Sequence, residues 1–249
     1  MIVVKDLHKG FGEVQVLKGI STTFHPGETS LIIGQSGSGK TVFLKSLIGL
    51  HIPESGTISF DGRINTDFTT EAKRVWRQEI GMVFQGSALF DSQTVEENVM
   101  FPLKMFTNNS EKEMLDRVNF VLDRVNLTNA NKKFPAELSG GMQKRVAIAR
   151  AIVMNPKYLF CDEPNSGLDP HNLIQEITAE YKITTVINTH DMNSVMEIGK
   201  KIVFLKNGTK AWEGSKNEIF KTDNEAVVEF VYSSNLFKKV RQAYLNETK

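Results

Sequence analysis

Two hydrophobic rhythms alternate along this chain. Ile2–Leu7, Ser21–Phe24 and Thr57–Phe60 are β-rich stretches that read as strands, and Asp61-Gly62 after the third is a turn signal. Ser30–Ile33 is a further apolar run, followed by a glycine-rich loop and a helical stretch, Thr41–Leu50, that ends near Pro53. Ile80–Phe84 reads as another buried strand, ending at Gln85. From Ser110 the period becomes helical. Ser110 and Glu113 form a capping box, and Met114, Val118, Val121, Leu122 and Val125 share one face until the polar stretch Thr128–Lys133 closes the helix. A second helical pattern begins at Ser139, with Met142, Val146, Ala149, Ile152 and Val153 on one side. Tyr158–Cys161 and Thr184–Asn188 are continuous apolar or β-branched runs, as expected of strands buried on both faces of a parallel sheet. Lys201–Leu205 and Lys210–Glu213 flank Asn207-Gly208 and predict a hairpin.

Strands alternating with helices predict an α/β fold: a mostly parallel sheet with flanking helices, an antiparallel β subdomain, and a helical subdomain inserted at about 86–150. Residues 1–249 read as one domain, with 224–249 as a C-terminal helical tail, and no internal repeat interrupts them. Composition narrows the function. A net charge of +1, from 30 basic and 29 acidic residues, leaves no nucleic-acid footprint. The single cysteine, Cys161, excludes an intrachain disulfide and suits a reducing compartment. No apolar run approaches the roughly 18 residues of a membrane span; the richest, Val42–Leu50, is broken by Lys45 and Ser46. The opening MIVVKDLHKG does not have the pattern of a signal peptide. These features predict a cytosolic chain that serves a membrane only by docking onto another protein.

The glycine-rich loop carries the first chemistry. Gly34, Gln35, Ser36, Gly37, Ser38, Gly39, Lys40 and Thr41 match G-x-x-x-x-G-K-[ST] between a predicted strand and a predicted helix, the context this motif requires. Its glycines let successive backbone N–H groups turn toward phosphates, and the helix N-terminus adds partial positive charge. Lys40 is placed to reach the β- and γ-phosphates, and Thr41 to put its hydroxyl on Mg²⁺. The run Tyr158–Glu163 is an apolar strand ending in two carboxylates. Asp162 at the strand tip can hold the Mg²⁺ shell, and Glu163, one residue on, can polarise an attacking water as general base.

Leu138–Met142, LSGGM, is a second glycine-rich phosphate-binding signal. Ser139 can cap the following helix, and Gly140 and Gly141 leave N–H groups accessible to an anion. With the loop at 34–41, this segment makes nearly the whole chain resemble the ATP-binding-cassette (ABC) ATPases. The resemblance implies ATP and Mg²⁺ as cofactors, and an ATP-sandwich homodimer in which LSGG serves the ATP of a second copy. It implies that Gln85 is the Q-loop glutamine, contacting Mg²⁺ and the water and sensing a permease. It makes Ser166–Asp169 a D-loop crossing the dimer interface, through Asp169, and His190 the switch histidine on the γ-phosphate. Phe11 stands where these proteins stack an aromatic ring on adenine. The family's usual glutamine after LSGG is Met142 here, which bears only on a side-chain contact to the sugar.

The segment Gly86–Leu103 places Ala88, Leu89 and Phe90 on what should be an exposed surface, where ABC transporters accept the permease. Its wording, with GQSGSGKTVFLK and LSGGMQKRVAIARAI, resembles the ATP-binding subunits of Mla (maintenance of lipid asymmetry) systems. Asn165, where relatives commonly have threonine or serine, is a departure of little consequence. The Mla resemblance implies a membrane permease, an MCE-domain lipid-binding protein, phospholipid movement between bacterial envelope membranes, and a place on the cytoplasmic face of the inner membrane. An importer ATPase for amino acids, metals or another solute remains a rival. So do a non-transport ABC ATPase of translation or repair and an ATP-driven regulatory switch. In the tail, Leu236, Phe237, Val240 and Tyr244 form an apolar stripe beside Lys238, Lys239 and Arg241. It predicts a helix resting on its own domain, with the other protomer or a membrane surface as alternatives.

Overall fold

The computed structural model describes residues 1–164, 168–190 and 192–232. Among the described residues ten strands run in chain order as β1 (Ile2–Phe11), β2 (Val14–Phe24), β3 (Thr29–Ile33), β4 (Ser55–Phe60), β5 (Arg63–Ile64), β6 (Ile80–Val83), β7 (Tyr158–Asp162), β8 (Thr184–Asn188), β9 (Lys201–Lys206) and β10 (Thr209–Gly214). The helices are α1 (Lys40–Leu47), α2 (Thr70–Gln78), α3 (Val95–Phe106), α4 (Glu111–Arg124), α5 (Gly140–Ile152), α6 (Leu168–Glu180), α7 (Met192–Ile198) and α8 (Glu225–Tyr232). The strands form two sheets, an antiparallel one ordered β2-β1-β4-β5 and a second ordered β10-β9-β3-β8-β7-β6. In the second sheet every pairing is parallel except β9 with β10. This is the mixed α/β architecture that the pattern of runs predicts.

Every residue of β3, β7 and β8 is buried, because both faces of the parallel sheet are covered. Side-chain alternation splits the core in two. Leu31, Ile33, Leu159, Cys161 and Ile187 face a cluster built with α3, α4, α5 and α6. Ile32, Tyr158, Phe160 and Val186 face the other, shared with α1 and the antiparallel sheet. Between β6 and β7 lie α3, α4 and α5, with capping boxes at Thr94–Glu97 and Ser110–Glu113.

Several boundaries differ from the sequence reading. The helix expected to reach Leu50 ends at Leu47. Gly49 takes φ 73°, and its N–H and that of Leu50 donate to Ser46 and Lys45 carbonyls, which is a Schellman stop. β2 starts at Val14 rather than Ser21, since Gly19 and a shift in register with β1 interrupt its alternation. β6 stops at Val83, and Phe84, read as part of a buried strand, is 42% exposed. Leu89, expected on the surface, packs partly against the core, whereas Ala88 and Phe90 are exposed. Asn165, Ser166, the side chain of Asp169 and the tail stripe from Leu236 to Tyr244 lie outside the described residues. Among the described residues no helix is long and apolar enough to cross a membrane.

Candidate nucleotide-binding site

β3 delivers the chain into the 34–41 loop and α1 takes it out. Gly34 has no room for a side chain, because a Cβ there would stand 2.3 Å from the Leu205 carbonyl oxygen. Gly39 precedes α1 with φ 100° and no side-chain cap, so the first N–H groups of the helix lack a capping side chain. Lys40 donates from Nζ to the carbonyls of Gly34 (2.9 Å) and Gln35 (3.0 Å). Burial draws its pKa below the ordinary lysine value, while Glu163 and Asp162 pull the other way. Ser38 Oγ is buried and has no hydrogen-bond partner among the described residues. An orphaned hydroxyl beside a desolvated ammonium and an uncapped helix start is a cradle for an anion. The loop, with Gln35, Ser36 and Gly37, borders a cleft of about 560 Å³ whose walls include Thr41, Glu163 and His190.

Register sets the next contact. β7 and β8 pair in parallel so that Asp162 lies beside Asn188. Asn188, fully buried, donates from Nδ2 to Asp162 Oδ1 (2.6 Å) and to Thr41 Oγ1 (3.3 Å). It thereby ties the start of α1 to the end of β7. Burial raises the Asp162 carboxyl above its usual range, and the charge of Glu163 adds to this; the Asn188 hydrogen bond, Lys45 and Lys40 oppose it. A buried carboxylate held up in this way beside a hydroxyl and a carboxamide is an oxygen donor set suited to a hard divalent cation such as Mg²⁺.

Glu163 follows Asp162 in the left-handed region, φ 44°, with its N–H donating to the Asn188 carbonyl (2.8 Å). Its carboxylate lies between two other predicted groups: His190 Nδ1 at 2.9 Å from one oxygen, Gln85 Nε2 at 3.4 Å from the other. The fold therefore assembles Lys40, Thr41, Asp162, Glu163, His190 and Gln85 from four separate stretches of chain. Gln85 meets this cluster through Glu163; no hydrogen bond joins it to Asp162 or Thr41.

Two predicted pieces stand apart. Phe11 lies outside the cleft walls; its ring is 47% exposed, edge-on to His51 at 5.1 Å with Lys9 Nζ 4.9 Å from its centre. Ser139, Gly140 and Gly141 are exposed. Ser139 caps α5, its Oγ accepting from the Met142 N–H at 3.3 Å. A Cβ added at Gly140 or Gly141 would meet nothing within 4 Å beyond its own helix among the described residues. Met142 packs partly against the core instead of pointing outward.

Sequence reasoning missed Asn188, whose only signal is a carboxamide closing an otherwise apolar strand. It also missed the apolar cleft surfaces Val16, Val42 and Phe230. Phe230 comes from α8, packs against Phe204 with ring centres 5.1 Å apart, and belongs to no motif.

A family model described as "ABC transporter" matches residues 17–166. The methionine import ATP-binding protein MetN of Campylobacter jejuni is 38% identical over 257 residues, covering 94% of this chain and 76% of that protein. The probable ribonucleotide transport ATP-binding protein mkl of Mycobacterium leprae is 38% identical, covering 92% of this chain and 68% of that one. Among solved structures, the dimeric cassette MJ0796, described as a bacterial ABC transporter cassette, superposes with a TM-score of 0.78 at 32% identity, over 87% of this chain and 99% of that one. A second structure of that cassette holds ADP and Pi in a post-hydrolysis dimer.

Proposed function

Because this chain belongs to the ABC transporter family of ATP-binding proteins, and is thus an ATPase, we propose that two copies sandwich ATP and drive a membrane permease. The observation that carries the proposal is the pair Gly140 and Gly141. Among the described residues nothing beyond their own helix lies within 4 Å to obstruct a side chain, so the absence of one serves something that approaches from outside. The capped N-terminus of α5, with its dipole, is what an incoming γ-phosphate would meet.

In this reading the N–H groups of Gly34–Gly39, with Ser38 and Lys40, hold the phosphates, and Phe11 stacks on adenine. Thr41 and Asp162 would hold Mg²⁺, with Gln85 as a further ligand. When bound, the ion draws negative charge away from the phosphate oxygens. Glu163 takes the proton of the attacking water, His190 orients Glu163 and the γ-phosphate, and Asp169 crosses to the second copy. Closure follows ATP because only the closed dimer makes the Ser139–Gly141 contact. Glu163→Gln should retain ATP binding and hydrolyse it at least about a hundredfold more slowly, as loss of a general base requires. A phosphate-release assay at wild-type turnover would remove Glu163 from that role.

Residues 1–249 act as one nucleotide-binding domain, with 86–150 as its helical subdomain and the permease contact at 86–103. For the cargo we propose phospholipid, moved at the cytoplasmic face of the inner membrane with an Mla-type permease and an MCE-domain protein. Support comes from the wording of the 34–45, 86–103 and 138–152 segments. A second reading, import of an amino acid, is favoured by relatives named for methionine and arginine transport. Purification of the chain with its membrane partners, followed by ATPase assays with phospholipid and with amino acids, separates the two. Recovery of an MCE-domain protein and stimulation by phospholipid is the expected result; stimulation by an amino acid instead overturns the lipid reading.

A further inference from the structure

Gln85 begins a segment whose backbone is costly to hold. Gly86, Ser87 and Ala88 all have left-handed φ, at 73°, 67° and 46°. Glycine adopts this freely, but serine and alanine pay roughly 1–2 kcal/mol each. Such geometry persists only where surrounding groups enforce it. Arg150, on α5, is one of those groups. It donates from Nη1 to the Ala88 carbonyl and from Nη2 to the Ser87 carbonyl, both at 2.9 Å, and its guanidinium lies 5.8 Å from the centre of the Phe90 ring. Asn98 on α3, fully buried, fixes the far end by accepting from the Phe90 N–H (2.8 Å) and donating to its carbonyl (3.1 Å).

Arg150 forms no ion pair with a carboxylate among the described residues, and burial alone moves its pKa, downward. Desolvating a cation to bind two carbonyls is an expensive way to close a loop that serves only packing. The same helix presents Ser139 at its N-terminus. We propose that Arg150 is a positioning residue: its fork locks residues 86–88 so that the Gln85 amide reaches Glu163, and joins that glutamine to the helix carrying Ser139–Gly141. Phe90, exposed and packed against Phe101 with ring centres 4.9 Å apart and planes tilted by 54°, is the point at which the permease seated on this face would load the fork. The assignment rests on the reading that Gln85 and Glu163 act together on the attacking water.

Steady-state ATP hydrolysis by the full chain tests it. Arg150→Met keeps an apolar stem against Phe90 and removes both donors, while Arg150→Lys keeps the charge without the fork. We expect KM for ATP to stay within about twofold, with kcat about tenfold lower in the Met variant and intermediate in the Lys variant. On a Gln85→Ala background, Arg150→Met should cost less than about twofold more, because both changes break one connection. Parent-level kcat in Arg150→Met alongside an impaired Gln85→Ala overturns the assignment and leaves the Gln85 reading standing. So does an additive loss in the double variant, the mark of a merely structural role. Parent-level kcat in Gln85→Ala overturns the underlying reading itself. If Arg150→Met fails to fold, Arg150→Lys decides: lower kcat at unchanged KM upholds the fork, and unchanged kcat overturns it.

Discussion

Gly34 and the pair Gly140–Gly141 differ in what a Cβ would meet. At Gly34 it would strike the Leu205 carbonyl of the same chain, so the fold itself requires glycine. At Gly140 and Gly141 it would meet nothing. Both sit in the first turn of a helix, where glycine costs up to about 1 kcal/mol relative to alanine. An acidic residue there would add roughly 0.3–1 kcal/mol through the helix dipole. Gly141→Asp should therefore leave the thermal midpoint of the nucleotide-free protein unchanged or higher. The same carboxylate would face the γ-phosphate of the second copy, so ATPase activity should fall by at least about tenfold through like-charge repulsion. Calorimetry and a phosphate-release assay on one sample check both halves. Wild-type hydrolysis would remove Ser139–Gly141 from the active site, and a large loss of stability would make Gly141 a structural glycine.

At the level of elements, the tips of β7 and β8 bring buried charge and its carriers together. The fold raises the Asp162 carboxyl, chiefly through burial. A raised acid favours folding while protonated, below the ordinary aspartate value of about 3.9, and that contribution is lost as pH rises through the folded value. At neutral pH the Asp162 charge thus costs stability in the nucleotide-free protein. Asp162→Asn should melt higher than the parent at pH 7, with the gap closing as pH falls toward about 4, and it should lose ATPase activity. Equal melting at pH 7 would contradict the burial account. The same tips show where sequence legibility ends. Asp162 and Glu163 were readable because two carboxylates end an apolar run. Asn188 was not, because only the β7–β8 register reveals that it touches both Asp162 and Thr41. α4 and α5 announced themselves through cap and period. α2, which buries only Trp76, and α3, which carries Pro102 inside, were hidden by weak or broken patterns. β2 was half-legible for a like reason, Gly19 falling in its middle. Phe230 reaches the cleft by tertiary packing alone, and no local pattern could have placed it there.

On the scale of the whole molecule, one α/β core gathers Lys40, Thr41, Asp162, Glu163 and His190 while α5 presents Ser139–Gly141 to solvent. In the proposed function each surface is half of a site: the loop and carboxylates would supply the cradle and the water chemistry, and the exposed helix start the contact to the γ-phosphate. Under that proposal two copies facing each other would complete both at once, and a change in phosphate occupancy would become a change in assembly. The most direct measurement is light scattering on Glu163→Gln, which should hold ATP without consuming it. An ATP sandwich gives one chain's mass without nucleotide, twice that mass with ATP and Mg²⁺, and loss of the doubling when Gly141→Asp is added although ATP still binds. A single-chain mass at saturating ATP, or a doubling indifferent to Gly141→Asp, would contradict it.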